Sequence, residues 1–211
     1  TVSDLRKARR SFDLSPVEFG ERTRAYVRVQ DGCDAACSFC IIPHLRGRST
    51  SLGFAAAAGR VARLVEDGFR EVILTGIHLG LYGRDREEGG SLADLVDRID
   101  ALPGDFRLRL SSIEPQEIDD RIIERMAAGG RLVPHLHVPL QSGSDRILRL
   151  MNRTYSSADY RSIIKRITRR VDPFGLGADV IVGFPGETDA DHRETVQFIE
   201  DLPFTYLHVF P

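Results

Sequence analysis

Residues 54–75, FAAAAGRVARLVEDGFREVILT, hold one complete unit of the pattern that runs through this chain. Its first part spaces apolar residues at three-and-four intervals, which predicts an amphipathic helix over 54–67 that ends at Gly68, a residue free to take the left-handed C-terminal conformation. The second part, Glu71 to Thr75, is short, β-branched and apolar, which predicts a buried strand. The same alternation recurs on both sides. Strands are predicted at 26–30, 71–75, 107–111, 135–140, 178–182 and 206–210, and helices at 54–67, 91–101, 119–128, 144–151, 156–171 and 189–201. Ser91, Ser144 and Ser156 stand where N-caps are wanted, Gly104 and Gly129 where helices should stop, and Thr188 to Asp191 resembles another helix start.

Six consecutive right-handed β-α units curl into three-quarters of a barrel. The expected fold is therefore α/β, a partial (β/α)6 TIM-like barrel, with no convincing seventh or eighth strand. Residues 1–24 lack this order and carry mixed charge with Pro16 and Gly20, so they read as a linker or arm ahead of a core over 25–211. The chain opens on Thr1, which suggests a segment of a longer protein.

Helices covering a parallel sheet demand an apolar outer face, so the polar face of each strand should point inward. That places Arg28, Gln30, Thr75, Arg109, Ser111, His135, His137, Gln141, Asp179 and His208 in the interior. Such an interior is too polar for the packed layers of a closed barrel and predicts a cavity for a polar ligand. The histidines read equally as hydrogen-bonded structural groups, and Arg28, Arg109 and Asp179 as charges that neutralise one another across the cavity.

Composition bounds the partners. Of 211 residues 42% are hydrophobic and 28% charged, as in an ordinary globular chain, and a net charge of -2 gives no general field for nucleic acid. Basic clusters at 6–10, at Arg46 with Arg48, and at 165–170 would act only locally or serve as solvated faces. No apolar stretch approaches the ~20 residues needed to cross a bilayer, and no secretory signal is visible, so the cytoplasm is the expected address and no membrane partner is expected.

The three cysteines are more informative. Cys33, Cys37 and Cys40 fall within eight residues just after the first strand, at the face where barrel enzymes hold their chemistry. An odd, clustered set argues against disulfides and for metal or redox chemistry. Three thiolates in one loop bind three irons of a cubane cluster and leave the fourth iron open to a ligand. Zinc would need a fourth ligand, for which His44 is the nearby candidate, and the short spacing suits it poorly.

The Cys33-x3-Cys37-x2-Cys40 spacing, with Phe39 before the last cysteine, resembles the signature of radical S-adenosylmethionine (SAM) enzymes. Thr75-Gly76-Ile77-His78, Ser111-Ser112-Ile113-Glu114-Pro115, His135 through Ser144, Asp179 through Thr188 and the closing His208-Val209-Phe210-Pro211 are similar to the methylthiotransferase family, and among its branches to the one acting on threonylcarbamoyladenosine in tRNA. The other branches act on isopentenyladenosine in tRNA and on a ribosomal-protein aspartate.

The resemblance implies a radical SAM core in which Cys33, Cys37 and Cys40 hold a 4Fe-4S cluster that binds S-adenosylmethionine. It implies no side-chain catalyst beyond these, because the cluster and cofactor carry the chemistry. Phe39 and Ile41 would flank the adenine, Gly76 would allow close approach of the methionine amino group, and Glu114 and Gln141 would reach ribose or methionine polar atoms. Arg153 would pair with the carboxylate. Gly183 through Glu187 would form a tight turn over the adenine, or Glu187 would simply favour the helix that follows. A second 4Fe-4S cluster and an RNA-binding β-barrel are expected in domains outside this chain. Expected partners are a tRNA anticodon-loop adenosine and an electron donor such as a flavodoxin or ferredoxin. The readings from other classes are a structural zinc module and an RNA-binding scaffold, the latter disfavoured by near-neutral charge.

Overall fold

The computed structural model describes residues 23–211, so most of the arm expected over 1–24 lies outside the described residues, while Arg24 already opens the first strand. In chain order the elements are β1 (Arg24–Arg28), β2 (Gln30–Asp31), α1 (Ile42–Leu45), β3 (Thr50–Ser51), α2 (Phe54–Glu66), β4 (Glu71–Thr75), α3 (Leu92–Asp100) and β5 (Arg107–Leu110). They continue with α4 (Asp120–Ala127), β6 (His135–His137), α5 (Asp145–Leu150), α6 (Ser157–Thr168), β7 (Gly175–Ile181), α7 (Asp189–Glu200) and β8 (Tyr206–Phe210). This is the α/β architecture of a partial TIM-like core, with parallel sheets and no closed barrel among the described residues. No helix among them is long and apolar enough to cross a membrane.

The chain divides into two compact units. The first comprises residues 23–35, 41–111 and 129–133, and contains the parallel sheet β1-β4-β5. Ala25 and Val27 are buried, as are Val72 and Leu74 of β4, and Val61, Leu95 and Ile99 from the helices add to this core. Each such side chain is worth roughly 1.5–3 kcal/mol of transfer free energy. A two-stranded antiparallel pair, β2 with β3, also belongs here. It and α1 were not expected, because elements of two to four residues are too short to register as periodicity.

The second unit comprises 36–40, 112–128 and 134–211, and contains the parallel sheet β6-β7-β8. Leu136, Leu176, Ala178 and Val180 are buried, with Ile147, Tyr160 and Ile164 of the helices. The Tyr160 hydroxyl donates to the Val138 carbonyl at 2.8 Å, so this fully buried ring brings no orphan polar atom with it. Strand β6 stops at His137, short of the expected residue 140. Pro139 has no N–H to give to a ladder, and Gln141 takes φ 64°.

The punctuation follows its chemistry. Ser91, Ser156 and Thr188 each close a capping box with an aspartate three residues on. Gly68, Gly104 and Gly129 all have positive φ. Ser144 occupies its N-cap position without a capping bond, its hydroxyl instead donating to Asp191 at 2.9 Å.

Candidate functional site

The approach to the cysteines is set by one amide. Gln30 is fully buried, and its side-chain NH2 donates to the carbonyl of Gly32 at 2.8 Å and to the Ser49 hydroxyl at 2.9 Å. Its carbonyl oxygen accepts the backbone N–H of His78 at 2.7 Å. His78 in turn has Nδ1 3.2 Å from Cys33 Sγ, which also accepts the Ala35 N–H at 3.4 Å. Gly32 has φ 73°, and a Cβ there would lie 2.1 Å from the Arg48 carbonyl, so only glycine fits the entry to the loop. Asp31 accepts the Gly32 N–H and pairs with Arg28 and Arg46.

Gly76 has a packing reason of its own. A Cβ there would meet Gln30 Oε1 at 2.8 Å and Gln30 Cβ at 2.9 Å. The sequence places Gln30 in the interior and Gly76 at the cofactor approach, and the contact between them appears only when residues 30 and 76 are brought together.

The second unit holds the other two cysteines by the end of α5. Ser38 donates its N–H to the Met151 carbonyl at 3.1 Å and its hydroxyl to the Leu150 carbonyl at 2.8 Å. Asn152 donates its side-chain amide to Ala36 at 2.8 Å, from a backbone with φ 61° that asparagine tolerates better than most residues. Neither Ser38 nor Asn152 was singled out from sequence. The signal was present in Asn152, a turn former directly after a helix.

Arg153 is buried and lies 3.2 Å from Cys37 Sγ, is bonded to Glu114, and stacks 4.9 Å over Tyr155. Burial opposes its charge, but Tyr155, Glu114 and Cys37 outweigh that and raise its pKa. Glu114 and Arg153, assigned separate contacts from sequence, are therefore partners of each other, joined across 39 positions. Phe39 packs edge-on against Phe184 at 6.4 Å, which brings it to the 183–187 turn. Phe39 and Ile41 are exposed. Gly183 has φ 71°, and Glu187 accepts the N–H groups of Gly183 and Phe184, so its carboxylate closes the turn rather than capping the helix that follows. Gln141 is buried in the left-handed region, where a non-glycine residue costs about 1–2 kcal/mol. It is held there because its N–H donates to the Asp179 carbonyl and its carbonyl accepts from Ile181.

The strand charges do not neutralise one another across a cavity as expected. Arg28 pairs with Asp31, Arg109 with Glu71 at 2.9 Å, and Asp179 with His137 at 3.0 Å and His208 at 3.2 Å. Strand register decides these partners. Glu71 lies level with Arg24 on one side and Arg107 on the other, whereas Asp179 lies level with His208.

All three cysteines are free and half-buried. The sulfurs of Cys33 and Cys37 each lie within hydrogen-bonding reach of an N–H group. Three thiols within eight residues of sequence are the donor set expected for a cluster with one iron left open.

The radical SAM superfamily profile matches residues 27–199, and the chain belongs to this superfamily. It is 42% identical over 194 residues to the threonylcarbamoyladenosine tRNA methylthiotransferase MtaB of Thermotoga maritima, covering 91% of this chain and 44% of that one. It is 39% identical over 211 residues to MtaB of Bacillus subtilis, covering 100% and 47%. The chain thus spans about half the length of these curated relatives. Among solved structures, the radical S-adenosylmethionine methyltransferase TsrM of Kitasatospora setae superposes with a TM-score of 0.72 at 19% identity, over 89% of this chain and 35% of that one. Coproporphyrinogen III oxidase (HemN) of Escherichia coli gives 0.57 at 17% identity, over 89% and 43%. These likenesses establish the shared fold.

Proposed function

We propose that this chain is the radical-generating core of a tRNA methylthiotransferase that converts threonylcarbamoyladenosine beside the anticodon to its 2-methylthio derivative. The observation that carries the reading is its 36–43% identity to MtaB proteins over 91–100% of the chain, with the Cys33, Cys37, Cys40 loop intact. Those three residues would hold a 4Fe-4S cluster. When bound, the cluster would supply an open iron for S-adenosylmethionine and an electron for its reductive cleavage.

The chain's own residues position and shield. Gln30 and His78 fix the backbone around Cys33, while Ser38 and Asn152 fix it around Cys37. Arg153 keeps a positive donor at the Cys37 sulfur. Phe39 and Ile41 offer apolar surface to an adenine, and Gly183 through Glu187 supply a rigid turn beside Phe39. Glu114 and Gln141 supply oxygens for the cofactor's polar atoms. The 2-methylthio product also requires a sulfur source, which we place on a second cluster in a domain outside this chain, and a cytoplasmic reductant of the flavodoxin or ferredoxin kind.

Anaerobic reconstitution of the chain with iron and sulfide should give a brown species that forms 5′-deoxyadenosine from S-adenosylmethionine, and Cys37→Ala should abolish that product. Normal product from Cys37→Ala removes the ligand assignment. Mass analysis of tRNA nucleosides after deletion and restoration of the full-length gene in its host tests the substrate. Loss of the methylthio group from isopentenyladenosine instead would overturn the branch.

A further inference from the structure

The sheet β6-β7-β8 places one Lewis base from each strand at a single point. His137 of β6 pairs in register with Gly177 of β7, and Asp179, two residues on, pairs with His208 of β8. His137 Nε2 lies 3.0 Å from Asp179 Oδ1, and His208 Nδ1 lies 3.2 Å from the same oxygen. The three ligand atoms lie within 4.8 Å of one another, the one group of its kind among the described residues. Two ligands bound at about 2.1 Å are about 3.0 Å apart at an octahedral corner and about 3.4 Å apart in a tetrahedron. The two observed separations fall in that range.

The surroundings are those of a metal-binding imidazole. Tyr206 sets its hydroxyl 3.3 Å from Nδ1 of His137 and 3.1 Å from Nε2 of His135, so the ring nitrogen of His137 remote from the carboxylate is oriented by a partner of its own. Gly177 makes this possible, because a Cβ there would lie 2.3 Å from the Tyr206 hydroxyl. His137 and His208 stack at 5.2 Å, which fixes the second ring, and His208 is 57% exposed, which leaves a path of entry. Two imidazoles and one carboxylate on one side of an ion leave its other positions to water or another oxygen donor.

We propose that His137, Asp179 and His208 form a binding site for a divalent first-row transition ion, built from donors other than the cysteine thiols. Zinc is the probe. Because thiols would compete for it, zinc is titrated calorimetrically into the chain carrying Cys33→Ser, Cys37→Ser and Cys40→Ser, with circular dichroism as the check on folding. One equivalent should bind with micromolar affinity or better. His208→Ala, at an exposed position, should weaken that affinity about 100-fold or abolish it, and Tyr206→Phe should weaken it about 10- to 100-fold through the orienting bond alone. In the chain with intact thiols, His208→Ala should lower the zinc retained after gel filtration by one equivalent, a measurement that stands even if the serine variant misfolds. No binding by a folded serine variant, or zinc affinity or stoichiometry unaltered by His208→Ala, overturns the site. Neither outcome touches the cysteine assignment, which cleavage of S-adenosylmethionine tests separately.

Discussion

The two three-stranded parallel sheets share topology and differ in how they use polar side chains. In β1-β4-β5 the buried carboxylate of Glu71 faces three guanidinium groups, from Arg109 at 2.9 Å, Arg24 at 3.3 Å and Arg107 at 3.6 Å. Burial pushes its carboxyl up, but the bond from Arg109 and the charges of Arg109, Arg24 and Arg107 outweigh it and hold it below the usual range. In β6-β7-β8, burial likewise pushes Asp179 up, and His137 and His208 hold it below its usual range. Arginine is always protonated and has no lone pair to offer. Imidazole has one. The first cluster is therefore closed to ligands and serves stability, whereas the second retains donors for an electrophile.

Substitutions that remove one acid from each sheet sharpen this contrast. Glu71→Gln leaves three arginines around a neutral amide and should cost about 2–3 kcal/mol, a fall of roughly 5–10 °C in Tm for a chain of this size. It should also flatten the acid limb of the stability curve. Because the folded pKa of Glu71 is depressed, its contribution is present above the ordinary value of 4.5 and is lost as pH falls through the lower folded value. Chemical denaturation at several pH values measures both effects.

Gly177→Ala should cost about 1 kcal/mol, because the added methyl, 2.2 Å from the Tyr206 ring, swings that half-exposed side chain aside. The NMR signals of His135 and His137 should shift with it. Asp179→Asn should change stability least, by about 1 kcal/mol or less, since its carboxylate is partly solvated and its partners are half-exposed or ring-stacked. A loss as large as that of Glu71→Gln would erase the distinction between the sheets.

Element order and strand identity were legible in the sequence because apolar runs bounded by Gly, Ser and Asp punctuation leave few alternatives. Strands β4 and β8 carry the predicted limits, 71–75 and 206–210. Pairings across the chain were not legible. Glu71 with Arg109, and Glu114 with Arg153, depend on register and on which loops meet, and periodicity encodes neither. Arg153 and Glu114 were singled out as residues, and their pairing with each other was not legible. The cysteine loop was legible because its spacing is local. Its supports were not, since Gln30 reaches His78 across 48 positions and Asn152 reaches Ala36 across 116.

The buried amide of Gln30 ties the entry of the cysteine loop and the turn after β4 into one mechanical block. Glutamate has the same shape but no N–H to give, so it would face the Gly32 carbonyl and the Asp31 backbone with like polarity. Positions 30 and 76 are thereby constrained together, because any side chain at 76 would meet the amide that the loop entry depends on.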